Sequence, residues 1–224
     1  MPQIHLGEGR MTINKPVIYA ILFFAFMLLV LYGDRFSFLE PQRLPACLPN
    51  CQGQDLTGAS LSAADLRGAN LQNTTLFGAD STRADLRGAN LLGADLGKAN
   101  LRGAKIDDST QIDDKWRLVW QILHRGGAGL DLPGVDLSQA ALSRTDLTGA
   151  NLSGADLHDI DLRGSGLKGA NLQNANLTGA DLYRAVLSNA NLSGADLTDA
   201  VVRGAEMDGV AMPKDWDKMV KPFY

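Results

Sequence analysis

Aromatic residues make up only 6% of this chain, histidine occurs three times and cysteine twice, and each scarcity removes a class of function. His5, His124 and His158 are scattered and Cys47 and Cys51 stand alone, so no set of ligands has the spacing of a zinc site. Positive charge is short as well: 21 Lys plus Arg face 25 Asp plus Glu, a net charge of −4, which gives no basic footprint for nucleic acid. No phosphate-cradling glycine loop, nucleophile beside a base, or paired acid and base stands out. The expectation is therefore a non-enzyme, with no catalytic residue, no cofactor, no metal and no nucleic-acid partner.

What the chain has in abundance is leucine at intervals of five. Eleven pentads run from Leu56 to Ile106 and sixteen more from Leu132 to Met207. Leucine holds 23 of these 27 centres, and alanine holds 20 of the 27 positions two residues earlier. A period of five matches neither the helix repeat of 3.6 nor the strand repeat of two, so a repeat solenoid is predicted. Units such as Ala64-Asp65-Leu66-Arg67-Gly68 turn one large and one small apolar side chain inward and leave the polar residues outside. Such a core is narrow and has no room for a ligand cavity. Ser81 interrupts the leucines between Leu61 and Leu101 and is expected to be a tolerated defect.

These units resemble the pentapeptide-repeat family, whose pattern is Ala-(Asp/Asn)-Leu-X-X, and the match covers 135 of 224 residues. The resemblance implies an all-β solenoid, a right-handed quadrilateral β-helix in which four pentads make one coil and each pentad is one wall. Residues twenty apart then stack at the ~4.8 Å spacing of paired strands, and roughly seven coils make a rod about 32 Å tall. Between the runs, residues 107 to 130 leave the pattern and shift its phase, because Ile106 and Leu132 are 26 residues apart. Trp116, Val119, Trp120 and Leu123 fall at helical spacing behind Asp113 and Asp114, and Arg125 and two glycines follow, which predicts a helix over about 114–125. The stretch Lys115 to Ile122 resembles an insert in pentapeptide-repeat proteins of oxygenic photosynthetic bacteria. Its two tryptophans are expected to pack the helix onto a wall; the competing reading makes them a docking knob.

One long apolar run stands apart, the sixteen uncharged residues Val17 to Tyr32. As a helix it spans about 24 Å, short of the ~30 Å hydrocarbon core yet longer than most signal-peptide cores. No Ala-x-Ala pattern follows it, so an uncleaved anchor is favoured over a removed signal, with the amino terminus inside and the repeats outside. Cys47 and Cys51 then lie in an oxidising compartment, where a disulfide would staple the amino-terminal cap. The pair is loosely similar to Cys-Pro-x-Cys segments that precede the first coil in members of the family. The expected organisation is a cytoplasmic segment (1–15), a transmembrane signal-anchor helix (16–33), a linker and cap (34–52), repeats (53–108), a helical insert (109–130), repeats (131–210) and a carboxyl-terminal cap (211–224).

The outer surface holds the candidates for a partner. Phe77, Leu92, Val186 and Val201 are apolar at outward positions, Arg163, Tyr183 and Arg203 share one column, and Trp116 and Trp120 sit on the insert. Asp136, Asp156, Asn176 and Asp196 form another column, read as a solvated wall. The leading function is a non-enzymatic membrane-tethered interaction or scaffold module, a single-pass protein holding a stiff rod in the periplasm or thylakoid lumen, with the role of an accessory or assembly subunit of a larger membrane complex as the expectation. The alternative, drawn from the resemblance to quinolone-resistance members of the family, is a DNA mimic that binds topoisomerase. The protein partner, the oligomeric state and the choice of membrane stay open.

Overall fold

The computed structural model describes residues 44–221, together with 4–6 and 9–11, and divides into two units, Met1–Arg43 and Leu44–Tyr224. In the first unit β1 (Ile4–Leu6) pairs antiparallel with β2 (Gly9–Met11), Ile4 opposite Met11. The apolar run and the membrane helix expected at 16–33 lie outside the described residues. Among the described residues no helix is long and apolar enough to cross a membrane.

The second unit is a β-helix whose geometry follows from where each pentad sends its five amides. The centre donates to the residue nineteen further on, as Leu61 N–H does to Asp80 C=O at 2.7 Å, and Asp80 N–H returns a bond to Ala59 C=O at 2.9 Å. Ala63 N–H reaches Thr82 C=O at 2.7 Å, and Ala64 N–H closes the corner onto Leu61 C=O at 3.0 Å. The fifth amide, just after the centre, points sideways and finds the Asp or Asn before the leucine: Thr57 N–H donates to Asp55 at 2.9 Å and Gln72 N–H to Asn70 at 3.2 Å. The Asp/Asn preference in the repeat thus serves the backbone, supplying a local acceptor for an amide that otherwise faces solvent. Parallel bridges twenty residues apart repeat the pattern from Asn50↔Asn70 onward and from Asp131↔Asn151 to Asn191↔Ala211.

Leucines and alanines of every level share one continuous core, and Ser81 lies buried within it. Where a hydroxyl replaces the small alanine it bonds to backbone, as Thr74 does to Cys51 C=O at 2.8 Å and Ser165 to Leu162 C=O at 2.6 Å. The corner residue two after the centre has a left-handed backbone, φ +66° at Gly68 and φ +55° at Arg144, which explains why glycine is frequent there and β-branched residues are missing. At the amino end a disulfide joins Cys47 to Cys51, and Cys51 fills the first centre of its column. At the carboxyl end the short α2 (Trp216–Met219) folds over the last coil, where Asp199 N–H donates to Met219 C=O and Lys221 N–H to Ala200 C=O.

The middle of the rod differs from the simple gap that the sequence suggests. Asn90 bridges Gln111 at a step of twenty-one, so one extra residue is absorbed near Asp107–Asp108 and Ile112 becomes a further buried centre. After α1 (Asp114–Arg125), Gly127 takes a centre position and donates to Asp146 C=O at 2.8 Å. The helix wedges between the blocks: Trp120 Nε1 donates to Ala104 C=O at 2.7 Å and Arg117 to Thr110 C=O at 2.6 Å on one side. On the other side Lys115 binds Asp136 and Ser138. Among the described residues, Lys98 N–H to Gln139 C=O at 2.7 Å is the backbone bond that joins the two blocks directly. Ile122 is fully buried, so Ile122→Ala should cost about 2–5 kcal/mol, read as a lower midpoint in urea unfolding. Asn171 accepts from Gln173 N–H and sits between Asn151 and Asn191, and Asn171→Ala should cost about 0.5–1.5 kcal/mol in the same assay.

Candidate interaction surface

With a filled interior, recognition is left to the four outer walls, and the repeat gives each a different chemistry. The wall centred on Leu56, Leu76, Leu96, Leu137, Leu157, Leu177 and Leu197 carries seven aspartates against Lys98 and is acidic. The column Asp136, Asp156, Asn176 and Asp196 belongs to it. Five of its seven carboxylates accept from the amide two residues on; hydrogen bonds from the Thr57 hydroxyl and then its N–H hold Asp55 below its usual pKa, and Thr198 does the same for Asp196. Beside it, the wall centred on Cys51, Leu71, Leu91, Leu152, Leu172 and Leu192 is nearly uncharged. Its asparagines bond to one another up the rod, Asn70 to Asn50 at 3.0 Å and Asn171 to Asn151 at 3.0 Å.

A third wall carries ion pairs between neighbours in the chain. Arg67 and Arg87 each grip the aspartate two residues earlier with two nitrogens, and those hydrogen bonds hold Asp65 and Asp85 at about 2. Because these carboxyls have a lower pKa in the folded state than their ordinary 3.8, their contribution is complete above that value and is lost as the pH falls toward about 2.

The remaining wall, centred on Leu61, Ser81, Leu101, Leu142, Leu162, Leu182 and Val202, has six arginines against three aspartates. Each of its last six levels bears one arginine, alternating between two positions: Arg83, Arg144 and Arg184 stand two residues after the centre, Arg102, Arg163 and Arg203 one after. Where arginine follows the centre directly, the corner is glycine (Gly103, Gly164, Gly204), and the missing side chain leaves space. A groove of about 570 Å³ results, lined by Arg102, Arg144, Arg163, Tyr183 and Arg184 among others, and it crosses the junction between the blocks. Arg102 donates to Ser143 C=O at 2.6 Å across that junction. Arg163 is held by Asp161 through two nitrogens and lies 3.6 Å from Asp181. Burial pushes the Asp161 carboxyl up, but the bonds from the Arg163 side chain and N–H outweigh it and leave the pKa lowered. The Arg184 and Arg203 guanidiniums lie 5.0 Å and 5.7 Å from the centre of the Tyr183 ring. Among the described residues Arg83, Arg144, Arg184 and Arg203 form no ion pair.

The structure thus gathers Arg163, Tyr183 and Arg203 on one wall and adds Arg83, Arg102, Arg144 and Arg184, which a search of single twenty-residue columns misses because the arginines alternate between two. The apolar candidates do not gather. Leu92, at 39% exposure, is on the asparagine wall, half-buried Phe77 lies on the acidic wall against Gly97 and Gln139, and half-buried Val186 and Val201 occupy the two remaining walls. Trp116 is buried and Trp120 is half-buried with its N–H spent on Ala104, so both indoles face the rod and leave no free docking knob. No group of three or more His, Cys, Asp or Glu among the described residues is placed to hold a metal.

Against known proteins, the family model for pentapeptide repeats matches residues 50–80, 82–109, 131–169 and 166–204. Similar solved structures include a pentapeptide repeat protein of the Arabidopsis thaliana thylakoid lumen, 33% identical with a TM-score of 0.35 over 38% of this chain and 62% of that one. This chain therefore spans less than two thirds of the Arabidopsis protein's length. HetL of the cyanobacterium Nostoc, a pentapeptide repeat protein involved in heterocyst differentiation regulation, is 30% identical with a TM-score of 0.26 over 74% of this chain and 87% of its own. The plasmid-mediated fluoroquinolone resistance protein QnrB1 is 18% identical with a TM-score of 0.29 over 76% of this chain and 88% of its own. No curated protein matches the chain. Titration should separate the paired wall from the rest: Asp65→Asn/Asp85→Asn is expected to lower the unfolding midpoint at pH 6, and the difference from the native sequence should shrink as the pH falls from about 4 through 2.

Proposed function

The chain belongs to the pentapeptide-repeat family, and on that premise we propose that it is a non-enzymatic interaction module, a rigid rod tethered to a membrane by an anchor helix at 16–33 and held on the exported side. One observation carries the module reading: the interior is a continuous ladder of leucine and alanine, so a ligand meets only the outer walls, each with its own chemistry. Export is supported by the Cys47–Cys51 disulfide, since such bonds persist in oxidising compartments, and by the apolar run Val17 to Tyr32 that precedes it. Within this reading the rod is an accessory or assembly subunit of a larger complex in a plasma or thylakoid membrane.

The DNA-mimic alternative asks for an acidic surface presented to topoisomerase. The acidic wall offers seven aspartates, but five of them already accept from the backbone amide two residues on, and the arginine wall adjoins them. The two readings part on fractionation. The native chain should stay with membranes through an alkaline wash, and Cys47 and Cys51 should react with a maleimide only after reduction. Recovery in the soluble cytoplasm, or thiols that label without reductant, would overturn the tethered reading.

A further inference from the structure

We propose that the arginine wall is a docking groove for an extended acidic segment of a partner protein; this rests on the interaction-module reading and specifies which wall is used and what it binds. Six consecutive levels each present one arginine. At ~4.8 Å per level they span about 24 Å, the length of roughly seven residues of extended chain. Among the described residues four of the six guanidiniums, on Arg83, Arg144, Arg184 and Arg203, make no ion pair, whereas Arg67 and Arg87 on the adjoining wall are each chelated by a neighbouring aspartate. Among the described residues more cations without an ion pair stand on this wall than on any other, in a protein that is net negative.

The width of that face selects the partner. One wall is about three residues of extended chain, roughly 10 Å, and it is bordered on one side by the acidic wall and on the other by a wall whose arginines are already neutralised. A bilayer surface or a nucleic-acid duplex is wider than this and would bring its own negative charge against the bordering aspartates, well within the ~8 Å over which such charges act at physiological salt. A single nucleic-acid strand is narrow enough, but it needs aromatic platforms for its bases, and Tyr183, the aromatic residue of this wall, already lies under Arg184 and Arg203. An extended peptide with Asp or Glu on one edge satisfies both limits. Its carboxylates meet planar guanidiniums suited to two-pronged bonding, and the groove at Arg144 and Arg184 gives it a seat.

The test uses the full chain in mild detergent and fluorescence anisotropy with a labelled ten-residue glutamate peptide. A labelled single-stranded oligonucleotide of equal charge and vesicles of phosphatidylserine and phosphatidylcholine serve as competing ligands. Arg144→Asn/Arg184→Asn removes two charges while suiting the left-handed corners, and should weaken peptide binding about tenfold or more. Arg144→Asp/Arg184→Asp should abolish it, and Arg67→Asn on the adjoining wall should change it less than about twofold. Unchanged thermal unfolding of the variants establishes that the rod is intact. Equal peptide binding by the native chain and the Arg144/Arg184 variants, or tighter binding of oligonucleotide or vesicles than of peptide, overturns the inference. Either result leaves the chain in the membrane fraction, whereas failure of the tethered reading appears in fractionation and not in the anisotropy.

Discussion

Everything in this rod depends on giving each backbone amide an acceptor inside a coil only twenty residues around. Four amides of a pentad are met by backbone, through the ladder above, the ladder below and the corner bond, as the bonds around Leu61 illustrate. The fifth is met by a side chain, and only a short carboxylate or carboxamide placed just before the leucine reaches it, as Asp55 and Asn70 do. The familiar sequence signature is therefore a hydrogen-bond account written in residue types. Alanine is there because the corner is tight, leucine because the axis must be filled, and Asp or Asn because it gives the outward amide a fixed local acceptor.

That account changes the meaning of the surface. Aspartates that look like a free acidic face are held by their own chain, and their lowered pKa values follow from the hydroxyl and amide donors beside them. The positions just after the centre and at the corner carry no such duty, so they are where the protein is free to specify a partner. Arginine occupies those positions at six levels of one wall, while asparagine dominates another and links to itself along the axis. Four chemically distinct sides arise from one repeat without altering the core.

Much of the fold is legible in the sequence because the period of five is sustained and has few structural solutions. The insert helix is legible because Trp116, Val119, Trp120 and Leu123 fall on one face, and α1 spans Asp114–Arg125. Its surroundings were harder to read. Ile112 is a centre displaced by one residue, and Gly127 serves as a centre with no side chain at all, so neither shows in a count of leucines. The arginine wall was only partly visible for a similar reason: Arg163 and Arg203 share a column, while Arg144 and Arg184 are offset by one residue and join them only when corner geometry is known. The scatter of Phe77, Leu92, Val186 and Val201 over four walls likewise follows from coil phase, which the break between the runs hides.

The seam at α1 gives the rod a property that an uninterrupted helix lacks. In a stack of identical units, order spreads through contacts between neighbours, and the weakest contact sets how far a disturbance travels. Within each block many ladder bonds link adjacent levels, but among the described residues one direct backbone bond, from Lys98 to Gln139, spans the blocks, and the rest of the coupling is the shared apolar core and the side chains of the inserted helix, Lys98 and Arg102. The seam is therefore the level at which backbone coupling is thinnest, and the one where fraying that begins at either tip is expected to pause.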